Sequence, residues 1–171
     1  MLYEEIELLH KFRNLSWTIR NTPDHFLNEA FARLIRIDTL YQRYITTEKK
    51  AYSIDLELMD LLILDAENFY YQAFRLICCL ENVPGFGKLR GKFLEITRIR
   101  NALIEHSGRQ TEPLSATYSM SRDAGIQIKP QTKAQTYYHD QGINNNMLTF
   151  KNTLNKEIRR AIAKADQLHK T

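Results

Sequence analysis

The chain has 171 residues, 43% of them hydrophobic and 26% charged, which suits one globular domain with a real core. No run approaches the roughly 18 apolar residues that a membrane helix needs. The opening MLYEEIELLHK is acidic where a secretory leader is basic, so a cytoplasmic protein without a membrane partner is expected. The net charge is only +4, but residues 54–82 carry six acidic groups and one basic, whereas 83–135 carry nine basic and four acidic. Residues 136–171 add six basic and three acidic groups, so the second half is the electropositive one and a candidate RNA-facing surface.

The first segment places Leu2, Ile6, Leu9, Phe12 and Ile19 at helical spacing and stops at Asn21-Thr22-Pro23. Thr22 is the expected N-cap of a second helix, with Pro23 at its first position, running to about Thr46. Ser53 is the expected cap of a third helix, which is apolar over much of its circumference from Leu56 to Leu80 and therefore central. Its adjacent Cys78 and Cys79 diverge by about 100° and read as ordinary buried thiols rather than a disulfide or metal pair. Asn82-Val83-Pro84-Gly85 breaks that helix, and a fourth is predicted from about Lys88 to Glu105 or His106, ending at Ser107-Gly108.

From Gly108 to Asn145 there is no helical period. Ala116 to Ser121 and Ile126 to Lys129 read as two short strands across Arg122-Asp123-Ala124-Gly125. Asn144 to Asn146 then cap a basic last helix from about Met147 to His169. The expected fold is all-α: an up-and-down bundle of about five helices in a single domain. A long loop or small β-hairpin is inserted over about residues 108–145, before the last helix.

Several short patterns bear on chemistry. Glu7 and His10 have the spacing of carboxylate-bridged metal bundles, but such sites need two pairs and two further glutamates; one pair is present, and neither metal nor other cofactor is expected. Gly85-Phe86-Gly87-Lys88-Leu89-Arg90-Gly91-Lys92 is not a Walker loop, because its glycines are displaced by one residue and Phe93 stands where a hydroxyl should hold magnesium. A basic, Gly-rich turn can still hold a phosphate on free backbone N–H groups, which makes Lys88, Arg90 and Lys92 candidate nucleic-acid contacts. Tyr137-Tyr138-His139 offers aromatic faces with polar tips, as a platform for stacked bases would, although such tyrosines also pack long loops onto bundles.

The strongest pattern is Arg100-Asn101-Ala102-Leu103-Ile104-Glu105-His106. Leu89, Phe93, Ile96, Ile99, Leu103 and Ile104 gather on one side of the fourth helix, and Arg100 falls inside that stripe. A guanidinium there needs a carboxylate partner or a wet cleft or interface. Asp65 lies on an apolar stripe of the third helix and is one possible partner; a buried Asp65–Arg100 pair would fix the register of two helices, with His106 as a C-terminal cap.

The same seven residues resemble the signature of the HEPN superfamily, an arginine followed four to six residues later by a histidine, often with a polar residue after the arginine. Here those are Arg100, Asn101 and His106. The resemblance implies a small helical domain that acts as a metal-independent endoribonuclease of toxin, phage-defence or RNA-processing type, usually as a homodimer and in some systems with an antitoxin partner. It makes Arg100, Asn101 and His106 the catalytic candidates, with Asp65 and Glu105 in support. Six residues along a continuous helix separate Arg100 from His106 by a net angle of about 120° and a rise of about 9 Å. Convergence on one phosphate therefore requires a turn at Ser107-Gly108 or a cleft shared by two subunits. The alternative from a different class is a non-enzymatic protein-interaction or oligomerisation module with Arg100 in a structural ion pair.

Overall fold

The computed structural model describes residues 2–20, 24–49, 56–104, 116–121, 123–130 and 142–168. Five helices and one hairpin make up the order α1 (Tyr3–Arg20), α2 (His25–Glu48), α3 (Leu56–Glu81), α4 (Leu94–Ile104), β1 (Ala116–Ser121), β2 (Gly125–Pro130) and α5 (Ile143–Leu168). Consecutive helices pack on one another and α5 returns against α1, so the expected all-α bundle with a hairpin before its last helix is the observed one.

The core follows the helical periodicity. Leu9 and Phe12 of α1, Leu34 and Ile37 of α2, Phe69 and Ile77 of α3, and Phe150 and Leu154 of α5 are all buried. Phe69, Phe93 and Phe150 form its aromatic centre, with ring centroids 5.8 and 5.6 Å apart around Phe150. Each such ring contributes about 1.5–3 kcal/mol by leaving water. Helix α3 is the central one, in contact with α2, α4 and β2, but its outer face stays open to solvent at Leu61, Leu64 and Tyr71.

The hairpin pairs Ala116 with Pro130 through Ser121 with Gly125. It turns its side chains inward at Ile126 and Ile128, both fully buried. A lone two-stranded hairpin is marginal in water, so its fixings to the bundle matter. The Ile126 N–H donates to Tyr44 Oη at 2.8 Å, and Tyr118 Oη donates to Glu67 Oε1. Asn144 Nδ2 adds a bond to Glu48 Oε1 at 3.3 Å. Gly125 has φ +71°, and a Cβ there would lie 2.5 Å from Tyr44 Oη, so glycine is what allows β2 to start this close to α2.

Several boundaries differ from those predicted. Helix α2 is capped by Asp24, whose Oδ1 accepts the Leu27 N–H at 3.0 Å from an extended backbone, whereas Thr22 and Pro23 lie outside the described residues, as does Ser53. Helix α4 begins at Leu94 and not at Lys88, because the N–H groups of Leu89 and Arg90 are drawn to the Glu81 carboxylate and the chain turns tightly at Leu89–Lys92. Helix α5 begins at Ile143, ahead of the expected Met147: the Gly142 carbonyl accepts the Asn146 N–H. Asn144 and Asn146 thus lie in its first turn, with the Asn146 amide donating to buried Tyr70 Oη at 2.8 Å.

Candidate functional site

Arg100 is positioned by its neighbours. Ile96 and Ile99 are buried in the core, which leaves Arg100 half-buried at the α3/α4 seam. Its guanidinium carbon lies 4.3 Å from the centroid of the Phe74 ring, a cation–π contact that holds the planar group without neutralising it. Nη1 donates to Asn101 Oδ1 at 3.0 Å, so the residue after the arginine orients it. Nε is buried without a hydrogen-bond acceptor, and no carboxylate pairs with Arg100 among the described residues.

Beside it is a cleft of about 230 Å³ lined by Leu64, Glu67, Asn68, Tyr71, Arg100 and Leu103. Glu67 is fixed from the far side by the Tyr118 hydroxyl of β1. Burial, then the Glu67 carboxylate, push the Tyr118 hydroxyl well above its ordinary value, so it remains a neutral donor. The cleft thus combines a guanidinium without a carboxylate partner among the described residues, a carboxylate, an amide and an aromatic edge. Burial, with the nearby Glu81 carboxylate, raises the Cys78 thiol despite Arg90, Arg75 and Arg100 around it, so it is not a reactive cysteine. A larger groove of about 610 Å³ runs beside Glu7, His10, Lys11, Asn14 and Leu15, but among the described residues α1 alone lines it.

The expected Asp65–Arg100 pair is not formed. Asp65 is buried and both of its oxygens accept from Arg43 of α2, Oδ2 from Nε at 2.9 Å and Oδ1 from Nη2. The reason is angular: nine residues at about 100° put Asp65 and the Arg100-facing Phe74 on opposite sides of α3. Asp65 therefore ties α3 to α2 and does not support Arg100. That removes the ion pair from the structural alternative for Arg100 as well.

The Gly-rich turn is likewise used internally. Glu81 Oε1 accepts the N–H groups of Leu89 and Arg90 at 2.7 and 2.8 Å, and Oε2 accepts Arg90 Nε at 2.7 Å. The carboxylate sits where a bound phosphate would. Lys92 Nζ pairs at 2.7 Å with buried Glu157 of α5, and Lys88 is exposed. Arg100 and Asn101 are thus brought together, while Arg90 and Lys92 are committed to carboxylates of the same chain. Glu105, His106, Tyr137, Tyr138 and His139 lie outside the described residues. His10 meets Phe31 edge-on at 4.6 Å and accepts from Arg13 at 3.0 Å.

Burial opposes ionisation of Glu81, but the two N–H donors and the Arg90 guanidinium outweigh it and hold the carboxyl below its ordinary value. A depressed folded value means stabilisation that is present above the unfolded value and lost as pH falls through the folded one. Glu81→Gln is therefore expected to cost about 1–2 kcal/mol at neutral pH, measured by urea unfolding. The difference from the parent should shrink at pH 3; a gap that is unchanged there would contradict this account.

Compared with known proteins, the chain matches no protein-family model, no curated protein and no solved structure. Glu67, Asn68, Tyr71 and Tyr118 escaped the sequence reading. Leu64, Asn68 and Tyr71 carry a recognisable signal, an outward face on α3 that continues at helical spacing toward Arg100.

Proposed function

We propose that the chain is a HEPN-like, metal-independent endoribonuclease in which Arg100 binds the phosphate to be cleaved, Asn101 orients it and His106 moves the proton. One observation carries this reading: Arg100 faces a cleft, stacked on Phe74 and without a carboxylate partner among the described residues. A stacked guanidinium with no carboxylate partner among the described residues keeps donors for an anion, and phosphate matches its planar fork. Histidine titrates near neutrality, so His106 is suited to take the proton from the attacking ribose 2′-OH and to return it to the 5′-oxygen as the P–O5′ bond breaks, while Arg100 stabilises charge on the phosphorane. The products are then a 2′,3′-cyclic phosphate and a 5′-hydroxyl.

The test is cleavage of labelled RNA by the full chain in EDTA. His106→Ala and Arg100→Met are each expected to lower the rate by about 10² or more, with unchanged circular dichroism and with cyclic-phosphate ends on the parent's products. No cleavage across RNAs of varied sequence and structure would refute the enzyme. The reading then favoured is a helical interaction module, for which the exposed Leu61 and Leu64 on α3 speak.

A further inference from the structure

We infer that the Arg100 cleft reads a guanine base, with Glu67 as the specificity-determining residue, and that this base belongs to the nucleotide whose 2′-OH attacks. The phosphate at Arg100 is that of the ribonuclease reading, on which this assignment rests. Leu64, Glu67, Asn68 and Tyr71 follow one another along α3 at steps of three, one and three residues, so one helix face supplies four of the cleft's walls. Helix α4 contributes Arg100 and Leu103. The volume of about 230 Å³ is below the roughly 300–1,000 Å³ of sites for drug-sized molecules, and suits one planar ring system.

A phosphate alone does not suit this space. Leu64, Leu103 and the Tyr71 ring give it apolar walls, and the Glu67 carboxylate repels an anion. The guanidinium of Arg100 is held at Phe74, which lies seven residues beyond Glu67 on the same side of α3, a rise of about 10 Å. An anion bound at that end leaves the rest of the cleft to whatever the phosphate carries. A nucleobase matches what remains, because its faces are covered by leucine and tyrosine while its edge needs hydrogen-bond partners.

The polar groups choose the base. Glu67 Oε1 accepts the Tyr118 hydroxyl, which anchors the carboxylate, and Oε2 has no donor among the described residues. The Asn68 side chain likewise makes no hydrogen bond among the described residues. A carboxylate only accepts, with about four lone-pair sites, so Oε1 keeps room for a second bond. Guanine alone offers it two adjacent donors, N1–H and N2–H, on its Watson–Crick edge. Adenine and cytosine place a ring-nitrogen lone pair beside their amino group, and uracil flanks its one N–H with carbonyls, so each of these sets a lone pair against the carboxylate. Guanine O6 is then the acceptor next in line, and the Asn68 amide is a donor beside Glu67. The nucleotide that carries the attacking 2′-OH also carries the phosphate, so gripping its base positions both reacting groups at once.

The experiment is calorimetric titration of the full chain with the 3′-monophosphates of guanosine, inosine, adenosine, cytidine and uridine. Guanosine 3′-monophosphate is expected to bind about tenfold or more tighter than the other four. Inosine keeps N1–H and lacks only the N2 donors, so its deficit tests the carboxylate without altering the protein. Glu67→Gln, with unchanged circular dichroism, is expected to erase the preference, because its amide sets a donor against guanine's donors. Mapping the cuts in a labelled RNA keeps the two readings apart: cuts are expected on the 3′ side of guanosines, and not selectively so in Glu67→Gln. Cleavage without regard to base, or equal binding of guanosine and inosine monophosphates, would overturn guanine recognition and leave the ribonuclease standing. No binding of any of the five at millimolar concentration would overturn it too. A Glu67-dependent guanosine preference without cleavage of any RNA would uphold the guanine site and remove the ribonuclease.

Discussion

Gly142→Ala is expected to lower the melting temperature by about 10 °C, from a loss of about 3–4 kcal/mol. Two independent effects add. Gly142 has φ +84°, where an L-residue meets its own carbonyl and loses about 1–2 kcal/mol. A Cβ there also overlaps the Ala124 carbonyl oxygen and stands 2.8 Å from the Ala124 methyl. The obstacle is largely backbone of the hairpin turn, so relief means moving the turn away from α5, which breaks the Asn144 N–H bond to Ala124 O at 3.2 Å. Gly91→Ala is the control: nothing lies within 4 Å of the added carbon, and its melting temperature should stay close to the parent's. Thermal unfolding followed at 222 nm reads both variants, and equal shifts would remove the steric explanation.

The second large effect is expected at Arg43. Its side chain is 61% exposed whereas that of Asp65 is 4% exposed, so the two halves of this ion pair are not equivalent. Arg43→Met leaves a buried carboxylate without its donors and is expected to cost about 3 kcal/mol. Asp65→Asn releases a guanidinium that water already reaches and should cost less. In the double variant most of the Arg43→Met penalty disappears, which a double-mutant cycle in urea measures as a coupling of about 1.5–3 kcal/mol. The same cycle between Asp65 and Arg100 is expected to give coupling near zero. Strong coupling there, with none to Arg43, would reverse the pairing described above.

What the sequence revealed followed from periodicity and what it hid followed from contact. The 3.6-residue period located all five helices, and the turn chemistry at Arg122–Gly125 located the hairpin, because both are local properties. The start of α4 at Leu94 is not legible, because Glu81, eight residues before Leu89, takes the preceding segment's N–H groups, and nothing local announces such a bond. That Asp65 pairs with Arg43, and not with Arg100 as one sequence alternative has it, is hidden for a related reason. Its apolar surroundings show that it is buried, but which neighbour approaches is decided by the packing of α2, through Arg43. Arg100 is legible because it breaks an apolar stripe; the bond that fixes Glu67 beside it is not, since Glu67 and Tyr118 are 51 residues apart in the chain.

The separations that tie down the hairpin also set an order of assembly. Helices α2 and α3 lie early in the chain and pack on each other, so they can gather while the C-terminal third is still arriving, whereas α1 packs chiefly on α5. The Tyr44–Ile126 and Glu48–Asn144 bonds close loops of 82 and 96 residues and come only afterwards. Until they do, Tyr118 has no fixed place and Glu67 lacks the hydroxyl that holds it from behind the Arg100 cleft. A nascent or truncated chain can therefore be largely helical, with the α3/α4 recess in place, and still leave the carboxylate of that recess unanchored until the hairpin docks.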